Sequence, residues 1–199
     1  IFYYSVRFTD KSTNKPTSRT EQLMALKLIQ DYTIKPLLRA TPGLAEVNTS
    51  GGYEKQIVIQ PDPERLLNAG ISLDQLAAKI GENTRNVGGG LVEIGGEQLV
   101  IRGNNRVMTT KEIAELPLKF GAGVKPILVQ DVAAVGIGSA FRTGAGTDQG
   151  EEALIGAAIM LAGETSRTVA DNVRKKLQEI QTKLPEGVEI HPLYDRSAL

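Results

Sequence analysis

A strand–helix–strand rhythm occurs twice in this chain, once at each end, and the long middle follows neither copy. At the N-terminal end Phe2, Tyr4, Val6 and Phe8 alternate with Tyr3, Ser5 and Arg7, the period of two that marks a half-buried strand. After the polar stretch DKSTNKPTS, Thr20 reads as an N-cap. Leu23, Leu26, Ile29 and Leu37 or Leu38 then recur at helical spacing as far as Ala40. Pro36 lacks an N–H and is expected to kink or nearly end that helix. Thr41-Pro42-Gly43 turns the chain into a second strand, Leu44 to Ser50. At the other end Glu152 to Leu161 is a largely apolar strand. A helix capped by Thr165 or Ser166 follows, with Val169, Val173, Leu177 and Ile180 on one face. The turn LPEG leads into a last strand, Val188 to Tyr194, much as TPG leads out of the first helix. Two such halves make a split, ferredoxin-like α+β sandwich.

The middle forms its own set of elements. Gln56 to Gln60 is a strand, Pro61-Asp62-Pro63 starts a short helix through Leu67, and Ser72 caps a helix carrying Leu73, Leu76, Ala77 and Ile80. Lys111 to Leu116 reads as a helical turn, and Ile127 to Val129 and Val132 to Ile137 as strands. This assigns residues 1–52 and 131–199 to the sandwich and residues 53–130 to an inserted α+β subdomain. Its most distinctive piece is VGGGLVEIGGEQLV. Gly95-Gly96 supplies the two positive-φ residues of a type I′ turn, which sets Ile94 opposite Glu97 and Val92 opposite Leu99 in a hairpin over residues 87–103. Gly88, Gly89 and Gly90 offer no side chains, so they suit a hinge or a close backbone approach. No GK[ST] follows them, which excludes a phosphate loop.

Composition removes several classes of function. The 199 residues carry equal numbers of acidic and basic side chains, so nothing steers the chain toward nucleic acid or an anionic membrane surface. Without cysteine there is no disulfide, thiol nucleophile or thiolate metal site. His191 is the sole histidine, and no HExxH, Walker or paired His/Cys spacing occurs. Met24, Met108 and Met160 are dispersed rather than arranged as a soft-metal ladder. The longest apolar run, Ala153 to Gly163, falls short of the roughly 20 residues of a membrane helix. The chain opens inside a strand pattern without Met and stops soon after another strand, so a piece of a longer protein is expected.

Four stretches together resemble one family: TPGLAEVNTSGG, then QPDPERLLNAGISLDQLAAKIGENTRNVGGGLVEIGGEQLVIRG, then DVAAVGIGSAFRTGAGTDQG, and finally AGETSRTVADNVRKKLQEIQTKLPEGVEIHPLYDRSAL. The resemblance is to the periplasmic part of resistance-nodulation-division efflux pumps, in their heavy-metal, CzcA-type branch. It implies the second porter subdomain of the first periplasmic loop, interrupted by the docking subdomain. It also implies a proton-driven homotrimer in a bacterial inner membrane, not an enzyme. The partners implied are neighbouring protomers, a periplasmic adaptor and an outer-membrane channel, with membrane contact only through flanking helices. The cargo implied is a divalent cation such as zinc, cobalt, cadmium or nickel, with no cofactor and no tightly held metal. In the family a docking hairpin reaches into the next protomer, and Gly88, Gly89, Gly90, Glu93, Gly95, Gly96, Glu97 and Gln98 occupy that place here. An ordinary surface hairpin is the alternative.

Periodicity names the candidate transport face. The two helices are expected to cover the apolar side of the sheet, leaving Tyr3, Ser5 and Arg7, Glu46, Asn48 and Ser50, and Glu189 and His191 on the open side. In the family that open side walls the substrate cleft, so Glu46, Asn48 and His191 are the candidate contacts for a passing cation. Each is alternatively a solvated side chain on an exposed sheet. Two other readings stay open: the equivalent region of a multidrug pump, whose cleft is lined with aromatics, and an unrelated ferredoxin-like binding domain.

Overall fold

The computed structural model describes residues 1–9, 12, 15–84, 87–94, 97–103, 109–121, 124–142 and 144–195. In chain order the first elements are β1 (Phe2–Phe8), α1 (Arg19–Ile29), a π turn (Gln30–Ile34), α2 (Lys35–Arg39), β2 (Leu44–Ser50) and β3 (Lys55–Pro61). Next come α3 (Pro63–Ala69), α4 (Leu73–Thr84), β4 (Val87–Ile94), β5 (Glu97–Gly103), α5 (Thr110–Ala114) and β6 (Pro117–Gly121). The last are β7 (Val124–Leu128), α6 (Val129–Val132), β8 (Ala133–Ser139), β9 (Gly146–Asp148), β10 (Glu151–Met160), α7 (Ser166–Gln181) and β11 (Val188–Asp195). They form two compact units, Ile1–Lys55 with Ser139–Leu199, and Gln56–Gly138.

The first unit is an antiparallel sheet in the spatial order β11-β1-β10-β2, with β9 paired to the start of β10. Counting its four long strands along the chain, the fourth lies beside the first and the third separates the first from the second. This is the split βαβ arrangement of the ferredoxin-like fold. Alternation decides which side is covered. Phe2, Tyr4 and Val6 of β1, Val47 of β2, Leu154 and Ala158 of β10 and Val188 of β11 point into one core. Leu26, Ile34 and Leu38 from the first helical segment and Val169, Val173, Leu177 and Ile180 from α7 close it. Tyr4 is wholly buried, and its ring occupies the space where Gly156, its cross-strand partner, has no side chain. The final strand is also tied to its helix: Arg174 Nη2 of α7 lies 2.5 Å from Asp195 Oδ2 of β11. That bond and a second to Asp171 hold the guanidinium above its ordinary range.

Two local details differ from the sequence reading. The first helix begins at Arg19 with Ser18 in the extended N-cap position, so Thr20 lies inside the first turn rather than capping it. The helix is also not simply bent at Pro36. It widens into the π turn just before that residue, where the Lys35 N–H bonds back to the Gln30 carbonyl. Proline can neither donate to the preceding turn nor tolerate a close carbonyl there, and a wider turn relieves both problems.

The second unit has its own core of Leu66, Ile71, Leu76, Ile113, Leu116, Val129, Val132 and Ala133. Three of its helices, α3, α4 and α5, start on side-chain caps. Asp62 accepts from the Glu64 and Arg65 N–H groups, Ser72 and Gln75 bond reciprocally, and Thr109 and Glu112 form a capping box. β3 pairs with β8, β4 with β5, and β6 with β7. Because β8 takes β3 as its partner, residues 131–138 sit in this unit and not, as the sequence boundary had them, with the terminal halves. Residues 53–55 fall on the other side of the division.

Candidate functional site

The side of the sheet away from α1 and α7 is a grid of cross-strand neighbours. One row runs His191, Ser5, Ile155, Ser50 across β11, β1, β10 and β2, and the next runs Tyr194, Tyr3, Ala157, Asn48. Glu46 stands beside Ile159, one step further along β2 from Asn48. Glu46 is exposed and Asn48 and His191 are half-buried. The three share a face but do not converge. His191 lies on one edge strand and Glu46 and Asn48 on the other, three strand spacings or roughly 14 Å apart. Among the described residues there is no group of three or more His, Cys, Asp or Glu side chains placed to hold a metal ion.

The face is less open than alternation implies. Ser5, expected to point toward solvent, is completely buried, and its hydroxyl donates to Asp148 Oδ2 at 3.0 Å. Asp148 arrives there because β9 and β10 form a tight hairpin whose two central residues, Gln149 and Gly150, have φ of 53° and 85°. Those are type I′ values, and they turn the chain sharply enough to bring the end of β9 over the sheet. Beside Asp148 lies an open cavity of about 650 Å³, lined by Arg7, Lys15, Arg19, Asp148, Glu151 and Glu189 among others. Its charges are largely paired. Arg7 Nη2 sits 2.5 Å from Glu189 Oε1, Arg19 Nη2 sits 3.5 Å from Glu151 Oε2, and Arg19 also donates to the Glu152 carbonyl. Partly exposed pairs of this kind contribute about 1 kcal/mol or less, so they organise the face more than they stabilise it.

Asp148 is the residue that the sequence reading missed. Its signal was the DQG turn between GT and the apolar β10, but a three-residue strand is too short to show a period. Tyr3 and Tyr194 add an aromatic pair at the opposite end of the face, with ring centroids 6.5 Å apart. The arrangement can contact hydrated cations or polar groups through separate carboxylate, carboxamide and imidazole side chains. Among the described residues it holds no set that closes around an ion.

The hairpin of the second unit has the expected register: Ile94 opposite Glu97, Glu93 opposite Gln98, Val92 opposite Leu99 and Leu91 opposite Val100. The pairing slips between Gly88 and Leu91, where the glycine run gives the ladder no side chains to fix it. The Gly95-Gly96 turn lies outside the described residues. No described helix is long and apolar enough to cross a membrane.

The sequence profile of the AcrB/AcrD/AcrF family matches residues 4–199. The chain is 42% identical over its whole length to Protein HelA of Legionella pneumophila, of which it covers 18%. It is 39% identical over 174 residues to the cobalt-zinc-cadmium resistance protein CzcA of Cupriavidus metallidurans, covering 87% of the chain and 16% of that relative. A crystal structure of a heavy metal efflux pump superposes on all of the chain with a TM-score of 0.81 at 26% identity, over 19% of the pump's length. The chain thus spans less than a fifth of each.

Proposed function

The chain belongs to the AcrB/AcrD/AcrF family, in its heavy-metal, CzcA-type branch, and from that membership we propose that it is the periplasmic porter-and-docking region of a metal-cation efflux pump. The first unit forms part of the substrate cleft, and the second forms the docking surface. The pump is a proton-driven homotrimer of a bacterial inner membrane that works with a periplasmic adaptor and an outer-membrane channel. The region works by contact and movement rather than by bond-making chemistry. It needs no cofactor, and the divalent cation is cargo. Zinc, cobalt, cadmium and nickel fit the branch better than copper or silver.

What supports this reading most is the order of parts along the chain: a split ferredoxin-like sandwich, interrupted by a unit with a glycine-rich hairpin, aligned end to end with a heavy metal efflux pump. Glu46, Asn48 and His191 are then contact points spread across the cleft wall, and the hairpin from Gly88 to Gln98 is the arm that engages the next protomer.

The test is a chimera. Residues 1–199 replace the corresponding stretch of the Cupriavidus metallidurans protein, and zinc, cobalt and cadmium accumulation are measured in a metal-sensitive host. Restored export with a trimeric chimera supports the proposal. A trimer of normal abundance that exports none of the three ions contradicts it.

A further inference from the structure

The first helical segment carries buried side chains at Leu26, Gln30, Ile34 and Leu38, all 2% exposed or less. A strict four-residue repeat does not stay on one face of an α-helix, because each step overshoots a full turn by about 40°. Three steps would carry Leu38 roughly 120° away from Leu26. The π turn at Gln30–Ile34 takes up this drift, since a wider turn rotates less per residue. The turn therefore matches the spacing of the buried side chains, the polar Gln30 included, and sits where Pro36 already weakens the helical ladder.

A line of side chains runs from this turn to the surface. The Gln30 carboxamide is fully buried and exchanges hydrogen bonds with the Tyr4 hydroxyl, at 2.9 and 3.2 Å. Gln30 Nε2 also donates to Thr49 Oγ1 at 3.4 Å, and Thr49 donates to Asp31 Oδ1 at 3.2 Å. Asp31 Oδ2 then meets Lys27 Nζ at 3.0 Å, where both side chains are partly exposed. Asp31 and Lys27 line a cavity of about 180 Å³ with Tyr32, Tyr53 and Glu54. Tyr4 belongs to β1 and Thr49 to β2, strands that do not pair with each other, so the ladder joins both to the helix at its one non-α turn.

We infer that Gln30–Ile34 is a hinge within the helix, held shut by this buried ladder, and that the Lys27–Asp31 pair is the point from which an outside contact releases it. Breaking the pair loosens Asp31, then Thr49 and Gln30, and the helix changes direction at the π turn while the sheet keeps its register.

Hydrogen exchange on the 199-residue chain tests this in three variants. Tyr4→Phe keeps the ring over Gly156, Gln30→Met keeps the side chain's length, and Lys27→Met removes only the outer charge. The amides of Ile34, Lys35, Leu37 and Leu38 should exchange about tenfold faster in the first two and about threefold faster in the third, with α7 unchanged. Unaltered exchange at those amides, or equal acceleration in α7, overturns the hinge. Unaltered exchange in Lys27→Met alone overturns its control from the surface.

Discussion

Gly156→Ala is the smallest change that should damage the first unit badly. A Cβ at this position would lie well inside contact distance of Tyr4 Cζ, Cε2 and hydroxyl. The ring has nowhere to go, because Tyr4 and Gln30 are both wholly buried and bonded to each other. Overpacking of a closed core costs about 1–3 kcal/mol. Alanine recovers roughly 0.5–1 kcal/mol of that, because it restricts the unfolded chain more than glycine does. Because the overlap with the ring is so deep, the overpacking cost sits at the top of its range and a net loss of about 2 kcal/mol is expected, which moves a urea midpoint down by about 1 M. All five tyrosines lie in the first unit and the chain has no tryptophan, so tyrosine fluorescence reports on that unit alone. The clash assigns the cost to one pair, and a double-mutant cycle isolates it. Tyr4→Leu alone should cost about 3–4 kcal/mol, through the vacated volume and the stranded Gln30 carboxamide. In that background Gly156→Ala should cost almost nothing, because the new methyl enters the vacated space, leaving a coupling of about 2 kcal/mol. If the two losses simply add within about 0.5 kcal/mol, the Tyr4 ring does not own that space and the reasoning fails.

Three further outcomes follow from the same unit. Gln149→Asn should stabilise it by about 0.5–1 kcal/mol in the same urea assay, because asparagine tolerates the left-handed conformation at φ 53° better than glutamine, and Asn-Gly suits the turn. Burial pushes the Tyr4 phenol up to about 12, against an ordinary value of 10.0, so the fold favours its protonated form. Its contribution to stability is whole below pH 10 and is lost as pH rises from 10 toward 12, and absorbance titration should find one tyrosine ionising last. Glu46→Ala and His191→Ala should shift the urea midpoint by no more than about 0.3 M, since neither side chain packs in the core, and calorimetry on the 199-residue chain should find only weak zinc binding. A submicromolar one-to-one zinc site would sink the reading of scattered contacts.

Much of the sandwich was legible because its signals are local and strong. The span Leu44 to Ser50 is the observed β2 residue for residue, and the expected final strand differs from β11 only by Asp195. β10 reads as an apolar run because it is central, with β1 on one side and β2 on the other. The π turn was not legible by the same means. Leu23, Leu26 and Ile29 fit an α period, and only the fully buried polar Gln30, which no apolar pattern flags, reveals that the face continues at intervals of four. The boundary at 131 failed for a different reason. β8 alternates weakly, and only its pairing with β3 decides which unit holds it. Strand partnership is a long-range property that a short run of residues does not carry.

The candidate site was legible as a face but not as a place. Alternation correctly puts Glu46, Asn48 and His191 on the side away from the helices, because the period of two depends only on the pleat. It says nothing of spatial order, and the order β11-β1-β10-β2 sends Glu46 and His191 to opposite edges. Metal–ligand bonds are about 2.0–2.6 Å long, so one ion cannot touch both. Ser5 was misplaced for the reverse reason: the pleat points it outward, but a turn of two residues drops Asp148 on top of it. That leaves a face with Glu46 near one edge, His191 at the other, and between them a half-buried pair of the Ser5 hydroxyl and the Asp148 carboxylate. Under the transport role proposed above, a cation crossing this face would be handed between single contacts, and fuller coordination would come from groups that face it rather than belong to it.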